Sequence, residues 1–581
     1  MRKLQSTPKG YTADSDKLCT PAQTVARVKA VMAAHGGVLA ESRRTDTGRL
    51  GIPVYLSICG QKARSVMPTR KQMGKGASPA QAEASGLMEL AERYSYFSFW
   101  AEEDNFTLAT WSQAETLWPG QVMPVAEIIR SVDDSLSEAQ ARELLDLISW
   151  RFCPVTRVAD GRTVMAPLNW FKKLNEFNGS SAGNCLEESI MQGACELVER
   201  HVSAVADKDM PHMPSIRTTA LEDPVLARLV EAFEKNGVRL WLKDYSMGMP
   251  VPTVAALAYD PATFPLKSEI VFTAGTASSP AKAAVRAITE IAQLAGDFET
   301  GSNYEASGLR KFKELEEIHW VVEGPETELS RLPDLDRPDM LDELTAFAQG
   351  LAARGYTLYT VETTHPELGI ATNYSFVPGF LFRERTPRAS IGLFVGRMLA
   401  EEAEPDLAAH GLARLAGITP GKAYLPFFEG LLALRQDDPS TALEHFTRAE
   451  PLHEDPEDTA LAVFYQGYAL TRMEQWARAE SLLHAAISLS PEVKEFFNLR
   501  GVCRFKTGNF AEAAGDFEAA LALDSGSAMD LANLGLCHKF LGHDAAAAEF
   551  LSKALEMDPE LDFARTHLNE LEAVRSGIER N

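Results

Sequence analysis

A repeat of fixed length occupies the C-terminal part of the sequence and constrains its fold more than any other feature. Small residues recur there at intervals of 34. They are Gly467, Gly501 and Gly535, then Ala479, Ala513 and Ala547, and then Ala486, Ala520 and Ala554. A period of this length is typical of a unit of two antiparallel helices, and small residues allow the helices to pack closely. Residues 421–581 are therefore predicted to be all-α, with four repeats and a capping helix at 563–576.

Such repeats stack in a row, because one unit cannot bury its apolar face alone. An earlier copy around Gly430 and Ala442 is offset by three extra residues near His453. The predicted product is a short curved solenoid whose concave face holds a peptide or protein.

A different constraint comes from a helix predicted over residues 183–204, whose acids share one side. At about 100° per residue, Glu188, Gln192, Glu196 and Glu199 fall within an arc of about 80°. Like charges at this spacing repel, so the stripe costs stability unless a cation lies nearby. A metal ion, or a cation carried by a ligand, would relieve the repulsion. The alternative for one isolated helix is a solvated acidic surface.

Two further helices carry polar stripes of the same kind. Residues 85–93 read SGLMELAER, where Glu89 and Glu92 repeat the E-x-x-E-R spacing of Glu196, Glu199 and the arginine after it. A helix after residue 279 places Arg286, Glu290 and a glutamine on one face. Three polar stripes make a shared binding site more probable than three solvated surfaces.

The three helices also begin alike, after glycine and a capping residue. Ser78 and Ser279 precede proline, and Asn184 is predicted to cap the central helix in a capping box with Glu187. Helix starts after glycine turns expose N–H groups that suit phosphate. Together with the carboxylates, they indicate a metal-bridged polyphosphate, most simply ATP held through Mg²⁺.

Strand patterns precede these helices, so strand, glycine turn and polar helix occur three times. This order predicts an α/β domain, of mixed α and β elements, built from related units up to about residue 405. Strands are also predicted over ISWRFCPVT (148–156) and RTVMAPLNWF (162–171), and a long helix over 334–354. The acidic stretch at 401–405 is the predicted boundary with the repeats.

Composition excludes several classes of function. A net charge of −24 argues against general nucleic-acid binding, which needs a basic surface. Seven scattered cysteines without metal-ligand spacing favour reduced thiols. With no apolar signal segment and no run of 18 apolar residues, the chain is predicted to be cytoplasmic and free of membrane contact.

Three motifs and several shorter segments resemble one family. SGLMELAER, ESIMQGACELVER (188–200) and RAITEIAQ (286–293) resemble the ATP-binding motifs of the YcaO superfamily, whose members use ATP and Mg²⁺ to activate a backbone amide. PKGY at Lys9, PAQTVARV at Thr24, GIPVY at 51–55, GKG at 74–76 and VPG at 377–379 also match. The resemblance covers about residues 1–405.

The resemblance implies roles for individual residues. The implied Mg²⁺ ligands are Glu89, Glu92, Glu188, Glu196 and Glu199. The implied contacts of the phosphates, ribose or base are Lys9, Thr24, Lys75, Ser85, Gln192, Arg200, Arg286 and Glu290. No catalytic residue distinct from this site is implied, and Cys195 and His201 are predicted to point off the stripe.

The implied reaction begins when an external nucleophile adds to a peptide carbonyl. The resulting hemi-orthoamide oxygen attacks ATP, and loss of phosphate then gives a ring or a thioamide. Tetratricopeptide-type repeats resemble the accessory-factor branch, linked to β-methylthiolation of a ribosomal small-subunit protein. Implied partners are the peptide or protein substrate, a methylthiotransferase or a donor of the nucleophile, and a second copy in a homodimer.

Two alternatives remain open at this point. One is azoline or thioamide formation on a ribosomally made peptide, although the chain lacks the proline-rich tail of many azoline-forming members. The other is a non-catalytic adaptor whose shape depends on bound nucleotide.

Overall fold

The chain divides into two compact units in the computed structural model. The structure describes residues 2–46, 48–132, 134–219, 221–295, 298, 309–383, 389–524 and 526–578. The first unit comprises Met1–Arg142 and Ser149–Ala389, and the second comprises Glu143–Ile148 and Ser390–Asn581. This division precedes residue 405, where the sequence pattern places the end of the first domain.

The first unit mixes helices and strands, which confirms the predicted class. Its helices are α1 (Pro21–Ala34), α2 (Gln61–Arg64), α3 (Pro79–Ala101), α4 (Trp111–Leu117), α5 (Val125–Arg130), α6 (Glu138–Leu145), α7 (Leu168–Asn175), α8 (Leu186–Asp209), α9 (Pro224–Lys235), α10 (Pro280–Ala295), α11 (His319–Val322) and α12 (Met340–Ala352). Helix α6 continues into the segment that belongs to the second unit.

The strands of this unit form three sheets. They are β1 (Leu39–Arg44), β2 (Val54–Cys59), β3 (Lys71–Lys75), β4 (Thr107–Ala109), β5 (Trp150–Arg157), β6 (Arg162–Pro167), β7 (Ser180–Gly183), β8 (Ser215–Ile216), β9 (Arg239–Asp244), β10 (Thr253–Tyr259), β11 (Val271–Thr276), β12 (Glu326–Thr327), β13 (Tyr359–Glu362) and β14 (Ala371–Phe376). The strand orders are β1-β2-β3, β11-β10-β9-β8-β12 and β4-β5-β13-β14-β7, with β6 paired to β5. Among the described strands only β8 and β12 pair in parallel.

Three strands lead directly into the three polar helices, as the sequence pattern predicts. Strand β3 precedes α3, β7 precedes α8, and β11 precedes α10. Glycine is required where strand and helix backbones touch. A Cβ atom on Gly74 would lie 2.0 Å from the backbone nitrogen of Gly86, and one on Gly275 would lie 2.4 Å from that of Ala287. These contacts fix each helix against its own strand.

Apolar faces hold the same helices in place. Ala283, Ala287 and Ile288 of α10 are fully buried in a cluster with Val254 of β10 and Val271 of β11. A second cluster joins α8 to α12, with their leucine and valine side chains removed from water. Each polar stripe therefore lies opposite an apolar stripe on its own helix.

Two predicted elements are wrong in part. Strand β6 ends at Pro167, and α7 begins at Leu168 inside the predicted strand 162–171, because Trp170, Phe171 and Leu174 bury one helical face. Helix α12 begins only at Met340, because the Asp339 carboxylate caps it.

The second unit is helical throughout its described residues, which confirms the all-α prediction. Its helices are α13 (Ile391–Glu401), α14 (Pro405–Ile418), α15 (Tyr424–Arg435), α16 (Pro439–Ala449), α17 (Pro456–Arg472), α18 (Trp476–Leu489), α19 (Lys494–Lys506), α20 (Phe510–Leu523), α21 (Ala528–Phe540), α22 (Asp544–Met557) and α23 (Asp562–Ile578). The small residues lie where paired helices cross: a Cβ atom on Gly501 would lie 3.0 Å from the Phe517 ring, and one on Gly535 would lie 2.9 Å from Leu551. Within the described ranges, no helix has the length and apolar character needed to span a bilayer.

Candidate functional site

A cavity of about 480 Å³ lies among α3, α8 and α10, next to the strands that precede them. Its walls collect all but one of the residues predicted for the site. These are Thr24, Lys75, Ser85, Glu89, Glu92, Glu188, Gln192, Glu196, Glu199, Arg200, Arg286 and Glu290. Lys9 is absent from this lining. The polar stripes of three separate helices thus face one volume, whose size suits a small-molecule ligand.

The three helices present equivalent positions to the cavity. A small residue lies against the backbone at or just before the preceding strand in each helix: Gly86 of α3 and Ala287 of α10 meet the strand itself, and Gly193 of α8 meets Gly179, the residue before β7. The residues one place before, three after and six after line the cavity in every case. They are Ser85, Glu89 and Glu92; Gln192, Glu196 and Glu199; and Arg286, Glu290 and Gln293. The cavity is therefore built from three related strand–helix units.

Three carboxylates of α3 and α8 lie in an environment that opposes their charge. Burial raises the pKa of Glu92 to about 8, and the neighbouring Glu196 and Glu89 carboxylates add to the rise. Burial also raises the pKa values of Glu89 and Glu199. Ionised carboxylates enclosed in this way need a cation. A divalent ion among them would hold all of these groups in the ionised form.

Two arginines accompany the acids without fully satisfying them. An Arg93 Nη1 atom lies 3.2 Å from Glu92 Oε1, and an Arg200 Nη2 atom lies 3.8 Å from Glu196 Oε1. The Nε atoms of Arg200 and Arg286 are buried and make no hydrogen bond to the described residues. Unused N–H donors beside carboxylates suit a ligand that carries anionic oxygens next to a metal ion.

The α10 side of the cavity is more nearly neutral. Arg286 Nη1 donates to Gln192 Oε1 at 2.8 Å, and Lys75 forms an ion pair with Glu290. Burial, followed by the charge of Arg286, lowers the pKa of Lys75 to about 8. Cations on this side therefore face the acids of α3 and α8 across the cavity.

The start of α8 differs from its predicted form. Cys185, and not Asn184, is the N-cap, and its sulfur accepts from the Glu188 backbone nitrogen. Asn184 instead accepts from the Thr24 hydroxyl at 3.0 Å and donates to Glu188 at 3.1 Å. Because the Asn184 amide is already hydrogen-bonded to Thr24 and Glu188, it does not cap the helix.

Glu188 is the most satisfied of the predicted metal ligands. Its carboxylate accepts from the backbone nitrogen of Leu18 at 2.9 Å and lies 3.4 Å from the Lys17 ammonium. Glu187 similarly accepts from the backbone nitrogen of Gln5 at 2.6 Å. Both residues therefore hold the N-terminal segment against α8.

Lys9 does not line the cavity, because acids at the cavity wall and behind it surround its ammonium group, and two of them, Asp16 and Glu343, are lining residues. Its Nζ atom is 2.5 Å from Glu343, 2.6 Å from Asp336 and 3.2 Å from Asp16. These three carboxylates are close enough to share a metal ion, but Lys9 occupies their centre and Lys282 pairs with Asp16 at 2.5 Å. In this structure Lys9 therefore contacts carboxylates of the protein, whereas the sequence predicts contact with the nucleotide.

Several lining residues were missed in the sequence. Arg93 and Gln293 lie on the polar faces that the sequence predicts, although no role in the site is assigned to them there, and the equivalence of the helices could have identified Lys282. Asp16 and Ser180 come from a loop and a short strand that carry no motif. These two could be found only from the folded chain.

The two residues predicted to point off the stripe of α8 have different outcomes. Cys195 lines the cavity, because it lies within one turn of both Gln192 and Glu199, and its expected position was wrong. Burial raises its thiol pKa to about 12, so it is not a ready nucleophile. His201 lies outside the cavity; its Nδ1 atom accepts from the Leu381 backbone nitrogen, and its ring stacks on Phe380.

The donor set fits Mg²⁺ and a polyphosphate. Hard cations such as Mg²⁺ prefer carboxylate oxygens and retain bonds to phosphate, whereas the arginine and lysine groups suit phosphate oxygens directly. Fold and site together define a nucleotide- and metal-binding domain joined to an array of helical repeats.

Comparison with known proteins gives the family. Residues 73–381 match the family described as YcaO cyclodehydratase, ATP- and Mg²⁺-binding. Residues 466–528 and 531–561 match tetratricopeptide repeats. The chain belongs to the YcaO family, with tetratricopeptide repeats toward its C-terminus, and ATP and Mg²⁺ are the cofactors of this family.

Similar proteins cover different parts of the chain. An uncharacterized protein of Methanothermobacter thermautotrophicus is 27% identical over 364 residues, which are 59% of this chain and 89% of that protein. The ribosomal protein S12 methylthiotransferase accessory factor YcaO of Escherichia coli is 30% identical over 212 residues, 32% of this chain and 35% of that protein. This chain therefore spans about a third of the accessory factor.

Among solved structures, a heterocyclase in complex with substrate and cofactor has the same fold. It aligns with a TM-score of 0.51 at 20% identity, over 66% of this chain and 54% of the heterocyclase chain. The likeness at this identity concerns the fold of the aligned region.

Proposed function

We propose that this protein uses ATP to activate a backbone amide of a polypeptide, as an enzyme or as the assisting component of a methylthiotransferase. The observation that carries the proposal is the convergence of Glu89, Glu92, Glu196 and Glu199 on one cavity with arginines beside them. Carboxylates and arginines together stabilise phosphoryl transfer, which depends on positioning and charge neutralisation more than on a protein nucleophile.

Each wall of the cavity has its own part in this proposal. Glu89, Glu92, Glu196 and Glu199 hold Mg²⁺, and Glu188 completes the set while it fixes the N-terminal segment. The phosphates, ribose and base are contacted by Thr24, Lys75, Ser85, Gln192, Arg200, Arg286 and Glu290. Bound ATP supplies the phosphoryl group that converts an amide oxygen into a leaving group.

The choice of target is assigned to the repeats. Stacked helical repeats provide extended surfaces for proteins or peptides. The accessory-factor name of the Escherichia coli relative makes ribosomal protein S12 and a methylthiotransferase the first partners to test. A cytoplasmic location belongs to the same proposal. Azoline or thioamide formation on a ribosomally made peptide remains the second candidate, which the family description as a cyclodehydratase favours.

The proposal has a direct isotopic test. Ribosomal protein S12 is prepared with ¹⁸O in its backbone carbonyls and incubated with the full chain, its methylthiotransferase, ATP, Mg²⁺ and hydrosulfide, the nucleophile that takes the place of the amide oxygen on the carbonyl carbon. An activated amide oxygen leaves as phosphate, so ³¹P spectra are expected to show ¹⁸O in inorganic phosphate. A ribosomally made peptide labelled in the same way tests the second candidate.

The same experiment separates an enzyme from an adaptor. Phosphate that contains only unlabelled oxygen arises from hydrolysis by water and would contradict amide activation. Glu92→Gln is expected to abolish the transfer, since it removes one anionic ligand. Glu41→Gln, at an exposed site on β1, is the matched control and should transfer as the wild type does.

A further inference from the structure

Hydrogen-bonding groups without an assigned role lie at the edge of the cavity where β7 begins. The Ser180 residue is only 2% exposed, and its hydroxyl makes no hydrogen bond of normal length and angle to the described residues, although it lies close enough to the Glu92 carboxylate to lower the pKa of that group. The Nη1 atom of Arg93 is equally buried and equally without a hydrogen bond, although it lies 3.2 Å from Glu92. Both groups line the cavity. Buried donors left unused are costly, which favours a ligand that uses them.

The turn that carries Ser180 is held firmly in place. The Tyr96 hydroxyl donates to the Glu176 carbonyl at 2.7 Å, and the Gly179 nitrogen donates to Glu196 at 3.3 Å. The Gly179 carbonyl in turn accepts from the Ser375 nitrogen at 2.9 Å. The position of the Ser180 hydroxyl is therefore fixed relative to the proposed metal ligands, as a preorganised binding group requires.

An aromatic side chain marks the outside of the same edge. Phe177 is 39% exposed, and the Arg93 guanidinium carbon lies 4.0 Å from its ring centroid. One part of the Phe177 ring packs against the Arg93 guanidinium, and the rest of the ring exposes apolar surface next to this cavity-lining residue. Apolar ring surface suits a polypeptide, whereas phosphate would leave it unused.

We infer that Ser180 and Arg93 bind the carbonyl oxygen of the amide to be activated, and that Phe177 packs against the polypeptide beside it. This inference rests on the proposed function and names the acceptor side of that site. Both donors lie beside the Glu92 carboxylate, so a single acceptor atom bound there can meet one neutral and one charged donor. Negative charge that develops on this oxygen when a nucleophile adds would strengthen both hydrogen bonds. Ser180 and Phe177 are then residues that position the substrate.

The test uses N-methylacetamide as the amide probe and AMPPCP with Mg²⁺ as the nucleotide. Crystals of the full chain grown with AMPPCP and soaked in the amide are expected to place its oxygen within hydrogen-bond distance of Ser180 and Arg93. In solution, Ser180→Ala should weaken the amide about tenfold by saturation-transfer NMR, the value of one hydrogen bond of this kind. Calorimetry should give an unchanged affinity for AMPPCP.

Ser95→Ala is the matched control. Ser95 is fully buried, its hydroxyl also lacks a hydrogen bond in the described structure, and it does not line the cavity. An amide bound elsewhere, an amide equally bound by Ser180→Ala, or a weakened AMPPCP affinity in that variant would overturn the inference. If the wild type binds no AMPPCP, the proposed function itself fails, and calorimetry shows this independently of the amide.

Discussion

Single residues at the cavity hold protons that a metal ion must displace. Burial raises the pKa of Glu92 from its ordinary value of 4.5 to about 8, so the free protein carries this group protonated at neutral pH. The folded state then binds the proton more tightly than the unfolded chain. Its contribution to stability is present at low pH and is lost as pH rises between these two values.

The first prediction concerns this proton. Mg²⁺ prefers the ionised carboxylate, so the affinity for AMPPCP with Mg²⁺ should rise with pH, by up to about tenfold per unit, and level off above pH 8. Calorimetry in buffers of different ionisation enthalpy should detect proton release on binding. Glu92→Gln should release fewer protons and lose on the order of a hundredfold in affinity. A pH-independent affinity in the wild type would contradict the prediction.

A second residue-scale prediction concerns the repeats. Arg500 and Asp516 form a buried ion pair at 2.6 Å, where the next repeat has Leu534 and Phe550. Asp516→Ala leaves a buried arginine without its main partner and should cost about 3–5 kcal/mol of unfolding free energy. Urea denaturation monitored in the repeats would measure this loss.

The next repeat supplies the control for that pair. The double variant Arg500→Leu/Asp516→Phe copies the neighbouring repeat and should lie within about 1–2 kcal/mol of the wild type. Equal destabilisation of the single and double variants would show that the pair does not act as an ionic unit. In both variants Arg504 keeps its ion pair with Glu480.

Sequence patterns identify helix residues better than loop residues. Helical periodicity determines which side chains share a face of one helix, and the resemblance of the three motifs to one family then implies a common site for Glu89, Glu196 and Arg286, which line one cavity. Lys9 could not be assigned in this way. Its partners Asp336 and Glu343 lie more than three hundred residues away in the chain, and no local pattern indicates them.

At the scale of elements, the contact between a strand and its following helix determines the cavity wall. Gly74→Ala would place a Cβ atom 2.0 Å from the Gly86 backbone nitrogen, and neither backbone can yield without moving α3. We expect a loss of at least about 1–3 kcal/mol in stability and a weaker affinity for AMPPCP, because Glu89 and Glu92 move with the helix. Thermal unfolding and calorimetry would measure the two effects.

Gly515→Ala is the matched control for this substitution. Gly515 lies inside α20, and a Cβ atom there would meet no neighbour within 4 Å. The change should raise stability by up to about 1 kcal/mol, since alanine favours the helix. If Gly74→Ala is as stable as Gly515→Ala, the close approach of strand and helix is not required.

The predictable elements are those with a strong local pattern. The repeats and the three strand–helix units follow from periodicity and glycine turns. Helix α7 was missed because its Trp-Phe sequence also suits a strand, and only the buried position of Trp170 and Leu174 decides between the two. The pairing of β7 with β14 depends on contacts between distant segments, which no window of sequence contains.

At the scale of the whole molecule, the division between the units can be tested by truncation. Helix α13 belongs to the second unit, where Ile391, Val395 and Leu399 are fully buried. A chain that ends at residue 405 would expose this helix without its partners α14 and α15. We expect it to aggregate more on size-exclusion chromatography than a chain that ends at residue 389, which retains only Glu143–Ile148 of the second unit and should bind AMPPCP as the full chain does.

The opposite result would favour the boundary drawn from the sequence. A well-behaved chain of residues 1–405, together with an aggregating chain of residues 1–389, would assign α13 to the first unit. Loss of S12 binding in both chains, with AMPPCP affinity retained, would support the assignment of target recognition to the repeats.

The N-terminal segment has a consequence for the order of events during synthesis. Gln5 and Leu18 bind α8, whereas Lys9 and Asp16 need Glu343 and Lys282. A ribosome must therefore translate 182 further residues before Gln5 reaches Glu187, but more than three hundred before Lys9 reaches Glu343. The contacts of Lys9 therefore form only after α12 has been translated, long after α3 and α8, which carry the acids of the cavity.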